Sequence, residues 1–158
     1  MAAAGASSYT ILNSCYGDNS TGYFSRTFSA GDQKTWTLSC WTKFNKTSGD
    51  HIILADDHAT NGTRFFQSFQ TDVGMCIRFE NAASGLYLRT NAVYQDTGAW
   101  QHVVLAADST QATVANRLRL YVNGSEVTSF ATDSRSSITQ NSNWSVINSA
   151  VGHQIFYD

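Results

Sequence analysis

Residues 100–124 limit what this chain can fold into more than any other stretch: W-Q-H-V-V-L-A-A-D, a short polar connection, then R-L-R-L-Y-V-N-G. In the first half Val103, Leu105 and Ala107 fall on one side of an extended backbone, with His102, Val104 and Ala106 on the other. Both faces are largely apolar, as in a strand covered on both sides. The second half alternates cleanly, with Leu118, Leu120 and Val122 opposed to Arg117, Arg119 and Tyr121. A period of two is the signature of a half-buried strand. The closing Asn123-Gly124 supplies two residues that tolerate positive φ, which is what a tight hairpin turn needs. The stretch predicts an all-β sandwich.

The remaining chain agrees. Residues 9–12 and 23–26 read as short strands separated by turn chemistry, N-S-C-Y-G-D-N-S-T-G. In T-W-T-L-S-C-W-T-K-F, Trp36, Leu38, Cys40 and Phe44 share a core-facing side, opposite Thr37, Ser39, Trp41 and Lys43. A short apolar strand follows at residues 51–55. Residues 64–70 and 74–80 look like a hairpin turning at Thr71-Asp72-Val73, with Met75, Ile77 and Phe79 inward. Residues 86–91 alternate again. Residues 125–132 can return as the second arm of the Asn-Gly hairpin, 133–143 read as a polar surface loop, and 144–155 resume strand character. No sustained helical period, repeat or linker is visible, so residues 9–158 read as one domain behind a small-residue arm, 1–8.

Composition narrows function by exclusion. A formal charge of −2 gives no electrostatic handle on nucleic acid or an anionic membrane. The N-terminal M-A-A-A-G-A-S-S lacks the basic residue and apolar run of a signal peptide, and no later stretch has the length and apolarity of a spanning helix. Cys15, Cys40 and Cys76 are odd in number and far apart, which argues against a zinc site or a disulfide framework and for folding in a reducing cytoplasm. With no proline in the chain, turns rest on Gly, Asn, Asp and Ser.

Three segments in order carry a resemblance. They are Y-F-S-R-T-F-S-A-G-D-Q-K-T-W-T-L-S-C-W-T-K-F, then W-Q-H-V-V-L-A-A-D, then R-L-R-L-Y-V-N-G-S-E-V. Together they resemble the concanavalin A-like lectin/glucanase superfamily, and within it the laminin-G-like jelly-roll branch. The first is similar to versions found in bacteriophage virion proteins. The resemblance implies two antiparallel sheets in a jelly roll, used for binding carbohydrate or protein, often without catalysis. It implies a virion component made in the host cytoplasm: surface decoration, fibre or tail. Expected partners are further copies of the chain or other virion proteins, and glycans. A free-standing calcium-dependent lectin is the alternative. Relatives usually continue past the segment matching residues 150–153, whereas this sequence stops soon after. The C-terminal sheet edge is therefore expected to be incomplete, or completed by residues 9–12 or a second subunit.

The candidate sites follow. Glycoside hydrolysis needs two positioned carboxyl groups, and the glucanase branch sets them in a Glu-x-Asp-x-x-Glu pattern. The two glutamates here, Glu80 and Glu126, lie in no such pattern, so no enzyme is expected. The loop holding Asp56, Asp57, His58 and Asn61 offers oxygen ligands of the kind calcium uses, with Asp72 able to approach and Asp108 as another acid. Laminin-G relatives often bind calcium at a sandwich rim, which makes calcium the one cofactor the resemblance implies; the residues themselves read first as a solvated turn held by Asx-type hydrogen bonds. His102 reads as a hydrogen-bonded structural residue, and His51, His58 and His153 lack a spacing that favours a shared metal. Trp41, Tyr87, Arg89 and Tyr121, together with Arg117 and Arg119, alternate away from the core positions. They could stack on sugar rings or anchor a protein. Equally, Trp41 and Tyr121 could be covered by the other sheet or a loop.

Overall fold

The computed structural model describes residues 24–43, 50–56, 63–68, 75–79, 86–94, 96, 98–144 and 150–155. The strands among them are β1 (Phe24–Thr27), β2 (Thr35–Thr42), β3 (Asp50–Asp56), β4 (Thr63–Ser68), β5 (Met75–Phe79), β6 (Leu86–Thr90), β7 (Gln101–Asp108), β8 (Leu118–Val122), β9 (Ser125–Glu126), β10 (Phe130–Asp133) and β11 (Gly152–Ile155). They form a seven-stranded sheet, β1-β11-β3-β4-β5-β6-β10, and a four-stranded sheet, β2-β7-β8-β9, with every pairing among the described strands antiparallel. This is the expected two-sheet β-sandwich.

Alternation sets the core. On β7, Gln101, Val103, Leu105 and Ala107 are buried, while His102, Val104, Ala106 and Asp108 are half-buried on the other side. Leu118, Leu120 and Val122 of β8 continue the buried face. Met75 and Ile77 of β5 and Leu86 and Leu88 of β6 meet them from the larger sheet, with Trp36, Leu38 and Cys40 of β2 packed at the flank. Each such aliphatic side chain, taken wholly out of water, stabilises the fold by about 1.5–3 kcal/mol. Asn123 (φ 51°) and Gly124 (φ 81°) close the β8–β9 hairpin in the left-handed region, as their chemistry predicts.

Three expectations need correction. Residues 125–132 do not return as one hairpin arm: two residues, Ser125 and Glu126, pair with β8, and the chain then crosses to pair β10 with β6. Val127 and Phe130 explain the crossing. Three residues apart, they would point to opposite faces of a single strand, whereas the crossing lets both pack against the core. Secondly, the polar run after Asp133 is not all surface, since its one aliphatic residue, Ile138, is buried beneath a short 3-10 turn, Arg135–Ser137. Thirdly, the C-terminal strand is not an unfinished edge. β11 is paired on both sides, Phe24–Thr27 along one flank and β3 along the other.

Arg117 also departs from the alternation. It precedes β8, at the end of a 3-10 turn (Val114–Asn116) with αR backbone, so the strand period does not govern it. Its guanidinium is buried and donates to three carbonyls: Gln111 (2.8 Å), Ala112 (3.1 Å) and Ile138 (2.6 Å). It is a staple between loops and not a surface ligand.

Arg135 ties the same corner from outside. It makes a two-pronged pair with Asp133 (2.9 and 2.6 Å), donates to the carbonyls of Ala115 and Leu118, and lies 4.8 Å over the Phe130 ring. Hydrogen bonding to Arg135 is the largest influence on the Asp133 carboxyl and holds its pKa below the ordinary value. A depressed folded-state pKa adds stability that is present above the unfolded value, near 3.9, and lost as pH falls through the folded one. Because Asp133 is more than a third exposed, solvent screening limits the gain to about 0.5–1 kcal/mol. Asp133→Asn is therefore expected to be less stable than the parent at pH 7, with the difference narrowing as pH falls below the ordinary carboxylate value of about 3.9; paired urea titrations at neutral and acid pH measure it.

Candidate functional site

The outer face of the four-stranded sheet brings together residues far apart in sequence. Register places Trp41 opposite His102, Ser39 opposite Val104, and Val104 opposite Tyr121, which pairs in turn with Glu126. One row further along, Thr37, Ala106 and Arg119 align. Antiparallel partners share a face, so these side chains line a single surface directed away from the core.

Trp41 dominates that surface, with 64% of it exposed. Its ring stacks on the His102 imidazole, the centroids 5.0 Å apart and the planes 23° apart. His102 is itself held in place. Its Nε2 lies 2.9 Å from Ser39 Oγ, its backbone N–H donates to Asn123 Oδ1 (2.9 Å), and its carbonyl accepts from the Asn123 N–H (2.8 Å). The Asn-Gly turn thus fixes the histidine, and the histidine props the indole. An exposed indole with one face against the imidazole and a hydroxyl nearby suits a ligand with one apolar face and a polar rim.

Two opposite charges lie close together on this face. Arg119 Nε lies 4.0 Å from Glu126, and hydrogen bonding to Tyr121, followed by the attraction of Tyr121 and Glu126, raises the Arg119 pKa above its ordinary value. Asp108, at the far end of β7, accepts from Thr110 and Gln111, which lowers its pKa. The Ser39–His102 contact has the geometry of a nucleophile and base, yet among the described residues no carboxylate bonds the other imidazole nitrogen. A triad is not assembled there.

Trp41, Tyr87, Arg89 and Tyr121 do not form one site. Trp41 and Tyr121 share the outer face just described. Tyr87 and Arg89 lie on β6, whose Leu86, Leu88 and Thr90 point into the core, and so face outward from the opposite sheet. The Tyr87 hydroxyl sits 3.3 Å from Cys76 Sγ, and Ser134 Oγ bonds both the N–H and the carbonyl of Tyr87. Of the calcium candidates, Asp56 ends β3 with its backbone opposite His153, while Asp57, Asn61 and Asp72 lie outside the described residues. Among the described residues no group of three acidic, histidine or cysteine side chains is placed to hold a metal ion. His153 instead sets its ring edge against Phe28 and its Nδ1 3.0 Å from the Val151 carbonyl.

Two contributors were missed in the sequence. Ser39 reaches His102 across 63 residues of chain, for which no local signal exists. Trp100, 61% exposed, could have been found as a large aromatic directly before β7, two residues from His102.

Two antiparallel sheets packed face to face define the class as a concanavalin A-like β-sandwich domain. The chain belongs to the concanavalin A-like lectin/glucanases superfamily, whose family model matches residues 18–157. No curated protein matches it. Membership sets the domain among carbohydrate-binding or structural modules.

Proposed function

We propose that the chain is a non-enzymatic binding domain of a bacteriophage particle, attaching to glycans through Trp41 on the outer face of the β2-β7-β8-β9 sheet. The observation that carries the reading is the indole itself: 64% exposed, yet braced by His102 and its Ser39 and Asn123 hydrogen bonds. Leaving so large an apolar ring in water has a cost that a ligand would offset. The closeness of Arg119 and Glu126 on that face supports an uncharged ligand, and the paucity of carboxylates in a hydrolytic pattern supports binding without cleavage. The virion setting rests on the similarity of residues 23–44 to segments of bacteriophage virion proteins. Further copies of the chain or neighbouring virion proteins are the partners it implies.

Trp41→Ala is expected to reduce glycan-array binding at least tenfold, the loss of roughly 1.4 kcal/mol of stacking, with an unchanged melting temperature. Retention of full binding by that variant sinks the site. The virion setting is checked by mass spectrometry of purified particles, where absence of the chain ends that part of the reading. Calcium at the Asp56 loop belongs to the competing proposal, a free-standing calcium-dependent lectin. Binding that survives a chelator and depends on Trp41 decides between the two.

A further inference from the structure

Trp100 sits beside the Trp41 site with its side chain 61% exposed, and no hydrogen bond or ring contact is recorded for it among the described residues. It directly precedes Gln101, the first residue of β7, whose partner is Thr42. Two residues further on, His102 is the partner of Trp41. Trp100 lies one residue beyond the paired stretch, and continuing the register by that residue puts its backbone diagonally from Trp41, at the roughly 7–8 Å typical of Cα atoms so related. Two exposed indoles thus flank one braced imidazole at one end of the sheet.

Resting on the Trp41 reading above, we infer that Trp100 is a second stacking position, so that the site takes a linear, uncharged glycan of at least two pyranose rings. The chemistry favours all-equatorial pyranoses, as in chitin- or cellulose-type oligosaccharides. Their rings form a flat ribbon with C–H groups on each face and hydroxyls at the edges, which suits stacking on two neighbouring exposed indoles. Single sugars or branched, puckered chains cannot meet both indoles at once. Charge points the same way. Arg119 is matched by Glu126, and Lys43 is one exposed cation at this end. A carboxylate or phosphate site needs several converging donors, which the described residues around Trp41 and Trp100 do not provide.

The test is calorimetric titration of the full chain with N-acetylglucosamine, its disaccharide and its tetrasaccharide, and in parallel with glucose, cellobiose and cellotetraose. For the wild type, affinity is expected to rise roughly tenfold or more from the single sugar to the longer chains in at least one series, the contribution of one extra stacked ring. Trp100→Ala is expected to abolish that rise while leaving the single-sugar affinity within about twofold of wild type. Trp41→Ala is expected to weaken every length. The inference is overturned if Trp100→Ala keeps the wild-type length dependence, or if the wild type binds all lengths equally; in both cases Trp41 binding stands. If neither series binds the wild type, the inference also fails, and the glycan array with Trp41→Ala decides separately whether the proposed function survives. Both indoles are mostly in solvent, so the melting temperatures of both variants are expected to match the parent.

Discussion

Arg117→Met is expected to lower the unfolding free energy by about 4 kcal/mol, the largest single loss anticipated for this chain. The guanidinium is buried and satisfies three carbonyls, of Gln111, Ala112 and Ile138. A hydrogen bond from a charged donor contributes about 1.5–3 kcal/mol, and a buried acceptor stripped of its donor costs its desolvation besides. An ion pair can sometimes be replaced whole by apolar side chains without loss. That escape is closed here because the acceptors are backbone atoms and remain after any substitution. For a domain of this size the loss corresponds to a fall in melting temperature of about 8–16 °C. Arg117→Lys is expected to recover part of it, because one ammonium cannot reproduce three donors held in a planar fork. Urea unfolding with fluorescence detection measures both variants; a cost below about 1 kcal/mol for Arg117→Met would show that the two loops hold together without the staple.

The fold was readable where a residue's fate depends on its neighbours in sequence. Leu118, Leu120 and Val122 are buried because alternate residues of a strand share a face. Asn123 and Gly124 turn because their backbones accept positive φ. Reading failed where the answer is set by another part of the chain. Alternation says that Tyr87, Arg89, Trp41 and Tyr121 all leave the core, but it does not say through which sheet, and the two pairs prove to face away from each other. Arg117 continued the alternating pattern on paper, yet a 3-10 turn ends at that residue and redirects it inward. The pairing of β11 between β1 and β3 joins the two ends of the chain, which no local pattern encodes. The candidate site shows the same division. Trp41 was available as an outward-facing aromatic and Trp100 as a large aromatic directly before β7, whereas the Ser39–His102 brace is purely tertiary.

Leu120 and Tyr121 are adjacent in β8 and point to opposite faces, so comparing their alanine variants tests the two-face reading directly. Leu120 has no exposed surface and lies in a row with Leu105 and Leu38, their strands fixed in register on either side of β7. Backbones tied by ladder hydrogen bonds collapse poorly around a lost side chain, so most of the cavity would persist. Leu120→Ala is accordingly expected to cost about 3–4 kcal/mol. Tyr121 is half-buried on the outer face, beside Arg119. Its truncation exposes no core and leaves room for water to replace the lost contacts. Tyr121→Ala is expected to cost no more than about 1.5 kcal/mol, and to act on glycan affinity instead. Urea unfolding of the two variants, read beside their glycan titrations, separates the outcomes: Leu120→Ala loses stability and, while folded, keeps affinity, and Tyr121→Ala does the reverse. Equal stability losses would mean that the outer face is covered, and with it the surface on which Trp41 and Trp100 stand.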